Sequence, residues 1–313
     1  METKKKSDFR PSANTRNRTY EKRNFERRVS QPRNTAPSKF ERRDKNTDKP
    51  IDNALLENAA DIGIHGDCET GAVIGRNAVR ELLRSERSVD KLMVQRGERT
   101  GSIVVLVAEA IERGIPVIEV EKSKLDSMAG FAPHQGVIAL AAEKEYCTVE
   151  DILSIAEERG EAPLIVICDG ITDPYNLGAI IRCAECCGAH GLIIPKRRAV
   201  GLTPLVTKAS AGAIEHLAIA KVANIASTVE QLKNRGVWTY AAEAGGSSVY
   251  STDLKGPCAV VLGSEGNGVS QLVRKTCDAV ISIPMYGKVN SFNVSTAAAV
   301  LLAEAARQHH IEQ

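Results

Sequence analysis

The chain has 313 residues, 43% hydrophobic and 26% charged, with a formal net charge of +2 and eight cysteines. That length and apolar content support a sizeable core and two folded domains with sequence to spare, and exclude a chain that is disordered or fibrous throughout. No apolar run approaches the roughly 20 residues of a membrane span, and the basic N-terminus lacks the apolar core of a secretory signal, so a cytoplasmic protein with no membrane partner is expected.

The first fifty residues hold 16 Lys or Arg against 7 Asp or Glu, a net of +9, which leaves −7 for the remainder. They lack hydrophobic periodicity and are rich in Asn, Ser, Thr and Pro, so residues 1–70 are expected to form a disordered basic tail. The tail reads either as an electrostatic arm for a polyanion, because each neutralised phosphate releases counterions, or as a solubilising extension. Tyr20, Phe25 and Phe40 are scattered aromatics able to stack on bases.

From Ala72 to Glu143 short strands alternate with amphipathic helices. Asn77–Leu83 and Ile103–Arg113 read as helices, and Lys91–Gln95, Val117–Val120 and Gly136–Ala142 as strands. A small α/β domain over 71–145 is predicted. Before its last strand lies the loop 131–136, where His134 and Gln135 either touch RNA or ligand or simply cap the strand.

A helix over Thr148–Glu158 leads into a larger series spanning 146–313. Strands are expected at Leu164–Cys168, Gly191–Ile194, Trp238–Ala241, Ala259–Leu262 and Val280–Ile283, alternating with helices, and an Ala-rich last helix runs from Asn293 to about Gln308. Alternation of this kind predicts an α/β fold with a parallel sheet covered on both faces. The thiols Cys183, Cys186 and Cys187 form half of a zinc-like spacing without a second half, so packed core thiols are expected and no metal.

In open parallel sheets ligands bind beyond the carboxyl ends of strands, so residues directly after strands should carry the chemistry. The first such segment runs from Asp169 to Arg182. Pro174 and Gly178 mark a turn entering a helix, and Asn176 either caps that helix or holds a neighbouring loop. Asn176 and Arg182, nearly two helical turns apart, are expected to address one side of a cleft; otherwise Arg182 is solvated or paired with Glu185.

The second segment, Gly263-Ser264-Glu265-Gly266-Asn267-Gly268, is a glycine turn that permits close backbone approach to a ligand. Its order and late position differ from the dinucleotide fingerprint Gly-x-Gly-x-x-Gly, which makes a nicotinamide enzyme a poor second choice. The third runs from Ile281 through Ile283, Met285, Gly287, Ser291, Phe292 and Asn293 into the last helix. Ser291 and Asn293 are natural helix-start residues, and Ile283, Met285 and Phe292 fit either core or the wall of an adenine pocket.

Together these segments resemble the three ordered motifs of the SpoU/TrmH branch of the SPOUT RNA methyltransferases: Asn176-x-Gly178-x-x-x-Arg182, Gly263-Ser-Glu265-Gly266-x-Gly268, and Ile283-Pro284-Met285 through Ser291-Phe-Asn293-Val-Ser295. The stretches Arg197–Pro204 and Lys208–His216, with His134-Gln135-Gly136, are most similar to the 23S rRNA guanosine 2′-O-methyltransferases. Phe292 stands where the family often has leucine.

The resemblance implies a trefoil-knotted C-terminal domain, a small RNA-binding domain before it, a homodimer, and S-adenosylmethionine as methyl donor to a ribose 2′-hydroxyl of structured RNA. It assigns catalysis to Asn176, Arg182, Glu265, Ser291 and Asn293, with Arg182 removing the proton. It assigns cofactor binding to Gly263, Glu265, Gly268, Ile283, Met285 and Phe292. The rivals are a tRNA guanosine 2′-O-methyltransferase and a noncatalytic RNA-binding or ribosome-assembly factor.

Overall fold

A computed structural model describes residues 71–97, 101–130 and 132–310. The expectations for residues 1–70, and the Phe131 side of the 131–136 loop, lie outside the described residues. The described residues fall within one compact unit, built on two sheets.

The smaller sheet contains β1 (Ala72–Ile74), β2 (Val89–Gln95), β3 (Val117–Val120) and β4 (Val137–Ala141), in the order β1-β4-β2-β3. Strand β4 runs antiparallel to both neighbours, and β2 pairs parallel with β3. Helices α1 (Arg76–Arg84) and α2 (Ser102–Glu112) pack Val79, Leu82 and Leu106 on one face. Helix α3 (Lys122–Ala129), absent from the sequence reading, seals the other with Leu125 and Met128.

The larger sheet is wholly parallel, as its alternating pattern predicts, in the order β10-β8-β9-β5-β6-β7. Its strands are β5 (Leu164–Asp169), β6 (Gly191–Pro195), β7 (Ala218–Val222), β8 (Trp238–Ser248), β9 (Cys258–Gly263) and β10 (Ala279–Ser282). Successive residues point to opposite faces. Leu164, Val166 and Cys168 of β5 therefore join one core while Ile165 and Ile167 join the other, and all five are buried. A strand buried on both faces reads as a continuous apolar run.

The first core is covered by α5 (Pro174–Cys186), α6 (Pro204–Ala209) and α9 (Val294–His310), the second by α4 (Val149–Arg159), α7 (Ile225–Asn234) and α8 (Gln271–Thr276). Thr148 caps α4 in a reciprocal pair with Asp151. Cys183 and Cys187 pack against the first core as expected of apolar thiols, whereas Cys186 faces outward.

The segment from Lys208 to His216 holds the small sheet against the large one. Arg87 donates to Glu215 at 2.8 Å, with the two side chains 12% and 1% exposed. Lys144 donates to the Glu215 carbonyl at 3.3 Å, and His216 meets Glu81 at 3.0 Å. Lys208 donates to the Pro133 carbonyl. A Cβ on Gly212 would lie 2.6 Å from the Glu81 Cβ, so glycine permits this docking.

Candidate functional site

The loops after β5 and β9, and the segment from β10 into α9, meet at the carboxyl edge of the large sheet. Asp173 caps α5 by accepting from the Tyr175 and Asn176 backbones, and Pro174 occupies the first turn. Asn176 is thus the third helical residue, not the cap, and its buried amide is free to reach across to β9. Gly178 lies inside α5, not in a turn: a Cβ there would sit 2.4 Å from the Ala209 Cβ, so the glycine lets α5 and α6 touch.

The Asn176 Nδ2 donates to Glu265 Oε1 at 2.6 Å, and Asn293 Nδ2 donates to the same oxygen at 3.0 Å and to Asn176 Oδ1 at 3.1 Å. Three segments separated by as many as 117 residues therefore share one hydrogen-bonded cluster. Two amide donors on one carboxylate oxygen make charge-assisted bonds that fix its direction. Asn293 also caps α9, accepting from Ser295 N at 2.9 Å and Ser295 Oγ at 2.6 Å.

Gly263 ends β9 where the returning loop crosses it. A Cβ at that position would meet the Gly268 carbonyl carbon at 2.0 Å and Val269 N at 2.1 Å. Gly266 and Gly268 take φ of 81° and 65°, and Ser264 and Gly268 exchange backbone hydrogen bonds at 2.9 and 3.1 Å. Here the glycines serve a tight turn of the chain on itself. The Ser270 N–H donates to Asp169 at 2.8 Å, tying this turn to the end of β5.

Beside the cluster lies a cleft of about 660 Å³, within the range of small-molecule and cofactor sites. Its walls include all six residues assigned to the cofactor, Gly263, Glu265, Gly268, Ile283, Met285 and Phe292, together with Ser291 and Asn293. Ile283, Met285 and Phe292 all line the cleft, Ile283 packing against the first core as well, and Met285 and Phe292 are 37% and 45% exposed. The far end of β8 adds Ala242, Glu243 and Ala244, and Arg274 pairs with Glu243 at 2.8 Å. These wall residues escaped the sequence reading because β8 extends seven residues beyond its predicted end. The mix of apolar side chains, bare glycine backbone and two oriented carboxylates, Glu243 and Glu265, fits an adenosine-bearing ligand.

Arg182 does not join this cluster. It is exposed on α5, in a groove with Asn77, Arg80, Glu185 and His216, and it has no ion-pair partner among the described residues. Six residues of helix turn through about 600°, which leaves Arg182 roughly 120° around the axis from Asn176. Asn176 and Arg182 therefore do not address one side of a cleft: their axial spacing is short, but their angular positions on the helix differ. In the loop before β4, His134 Nδ1 accepts from Gly136 N at 3.0 Å and Gln135 Oε1 accepts from Arg76 N at 3.0 Å.

Residues 163–303 match the SpoU rRNA methylase family, and residues 72–147 match the RNA 2′-O ribose methyltransferase substrate-binding domain. The chain is 44% identical over 239 residues to YacO of Bacillus subtilis, a protein assigned to the TrmH family of tRNA/rRNA methyltransferases, covering 76% of this chain and 96% of that one. It is 42% identical over 243 residues to a Staphylococcus aureus protein assigned to the same family, covering 77% and 98%. Among solved structures it is similar to the SpoU methyltransferase AviRb from Streptomyces viridochromogenes in complex with the cofactor AdoMet. That likeness has a TM-score of 0.64 at 26% identity and covers 77% of this chain and 91% of the other.

Proposed function

This chain belongs to the SpoU family of RNA methyltransferases, and from that membership we propose that it transfers a methyl group from S-adenosylmethionine to a ribose 2′-hydroxyl, most specifically of a guanosine in 23S rRNA. The observation that carries this reading is the meeting of Asn176, Glu265 and Asn293 in one hydrogen-bonded cluster on the rim of an apolar cleft. When bound, S-adenosylmethionine supplies an electrophilic methyl carbon on a sulfonium. The acceptor hydroxyl would have to lose its proton as it takes the methyl group, so the protein has to align the hydroxyl and take the proton.

In this reading Gly263, Glu265, Gly268, Ile283, Met285 and Phe292 hold the cofactor. Asn176, Glu265, Ser291 and Asn293 orient the acceptor. Arg182 contacts an RNA phosphate and the hydroxyl and removes its proton, a chemically demanding role for a guanidinium. Because Arg182 stands apart from the cluster of its own chain, the role calls for a homodimer in which it serves the site of the second copy. A knotted passage of the C-terminal segment, domain limits of 1–70, 71–145 and 146–313, RNA binding by the small domain and by the basic tail, and a cytoplasmic setting belong to the same proposal. Among the described residues no helix is long and apolar enough to cross a membrane.

The test is methyl transfer from labelled S-adenosylmethionine to unmodified 23S rRNA fragments and to tRNA, with the product nucleoside identified. Label in 2′-O-methylguanosine of the rRNA supports the reading, and label in tRNA alone supports the tRNA rival. RNA binding without any label refutes catalysis. Arg182→Ala should fold and bind cofactor normally yet lose most turnover; wild-type rates in that variant would discard its role.

A further inference from the structure

A second cleft, of about 610 Å³, lies on the other side of Glu265 from the first. Ser264, Glu265, Gly268 and Val294 line both, so a ligand in one lies beside a ligand in the other. Most of the acidic and amide groups in the second cleft are already engaged. Asp169 accepts from Ser270 N, Asp173 caps α5, Asn224 caps α7 by accepting from Ser227 N at 3.2 Å, and Asn176 and Glu265 bond to each other.

The cleft's two cations are different. Arg197 and Arg198 are exposed and have no ion-pair partner among the described residues. The loop that carries them is pinned at both sides, by Lys196 N donating to the Val222 carbonyl at 2.7 Å and Val200 N donating to the Ile171 carbonyl at 3.0 Å. Between those pins Arg198 has φ of 59°, one of three described non-glycine residues with positive φ. That conformation costs free energy for a side chain with a Cβ, and such residues concentrate at ligand clamps. A strained, anchored loop thus presents two unneutralised guanidiniums to a cleft that shares an edge with the proposed methyl-donor cleft.

We infer that this second cleft is a nucleotide subsite: it takes one nucleoside 5′-monophosphate unit of the RNA, with the phosphate at Arg197 and Arg198 and the sugar toward the Asn176–Glu265 edge. Guanidinium forks match phosphate oxygens in a way an ammonium does not. The shared edge brings the sugar to where the acceptor hydroxyl is needed. The inference rests on the proposed methyl transfer for the identity of the polymer, but the cleft can be probed without turnover.

The full chain is titrated with 5′-GMP and with inorganic phosphate by calorimetry, in the presence of S-adenosylmethionine. Wild-type protein should bind 5′-GMP in the millimolar range and more tightly than phosphate. The Arg197→Ala/Arg198→Ala pair should weaken 5′-GMP binding by at least about tenfold, the scale of one charge-assisted contact, with cofactor affinity unchanged. Arg198→Gly, which relieves the backbone strain while removing the charge, should also weaken binding, and Arg198→Lys should restore part of it. Where methylation is measured, KM for RNA should rise about tenfold in each single alanine variant. No binding of 5′-GMP by wild type, equal binding by the double variant, or phosphate binding as tight as 5′-GMP overturns the inference. Loss of methylation alone, with these titrations intact, counts against the proposed function and not against the subsite.

Discussion

Replacing Gly178 by alanine tests whether α5 is held in place by direct contact with α6. The added Cβ would lie 2.4 Å from the Ala209 Cβ and 2.9 Å from both Ser210 N and the Val206 carbonyl oxygen. Carbon atoms rest about 3.5–4.0 Å apart, and none of the three opposing atoms sits on a rotatable side chain, so the helices must separate by about 1 Å. Three rigid contacts put the cost near the upper end of core overpacking, about 3 kcal/mol. Alanine returns roughly 1 kcal/mol of helix propensity, leaving a net loss of about 2 kcal/mol. For a unit of this size the melting temperature should fall by about 4–8 °C. The same displacement draws Asn176 away from Glu265, now 2.6 Å distant, so single-turnover methyl transfer should slow by up to about a hundredfold. In the proposed reading cofactor affinity should hold, because α5 does not line the 660 Å³ cleft. Adding Ala209→Gly removes the closest opposing atom and should recover part of both losses. A Gly178→Ala protein that melts at or above the wild-type temperature, as alanine on an open helix face would, refutes the packing argument.

Arg87→Ala should cost about 3–5 kcal/mol in urea denaturation, because it leaves the buried Glu215 carboxylate without its cation; a loss below about 1 kcal/mol would show that the pair does not join the two sheets. Hydrogen bonding from Arg307 holds the Glu304 carboxyl down at about 2. The stability this pair supplies is therefore complete above the unfolded carboxyl pKa near 4.5 and fades as pH falls toward 2. The stability gap between wild type and Arg307→Ala should shrink over that interval and stay constant from pH 5 to 7; a constant gap throughout contradicts the assignment. Burial pushes the Cys168 and Cys258 thiols up to about 12. Among the described cysteines Cys186 should alkylate first and these two last, as read by peptide mass mapping under native conditions.

The parallel sheet was legible because β5 and β9 are short apolar runs followed by glycine or acidic turns, a pattern that burial on both faces imposes. Strand β7, Ala-Ile-Ala-Lys-Val, was not. Its lysine breaks the run, and only its place at the sheet edge explains why a charge is tolerated there. Helix α3 was missed for a similar reason: Lys-Ser-Lys-Leu-Asp-Ser-Met-Ala carries two large apolar residues, enough to seal the far side of a small sheet but too few to show a period. The walls of the first cleft were readable from motif order, since glycine turns after strands mark ligand edges in this architecture. The position of Arg182 was not. Helical angle, together with the 2.4 Å approach that Gly178 allows, decides which way α5 faces, and neither is written in spacing along the chain. Long-range pairs such as Arg87 with Glu215, 128 residues apart, are likewise a product of folding.

Asn293 works with both halves of its head group: the oxygen starts the last helix, and the nitrogen steadies a carboxylate at 3.0 Å. An aspartate there would still start the helix, yet it would set one anion against another. Slow hydrolysis of this one amide, the ordinary chemical ageing of asparagine, would thus yield protein that keeps its fold while the proposed acceptor site is disturbed. Batches of this protein should therefore be judged by the mass of the peptide containing Asn293, one dalton heavier once converted, rather than by fold alone.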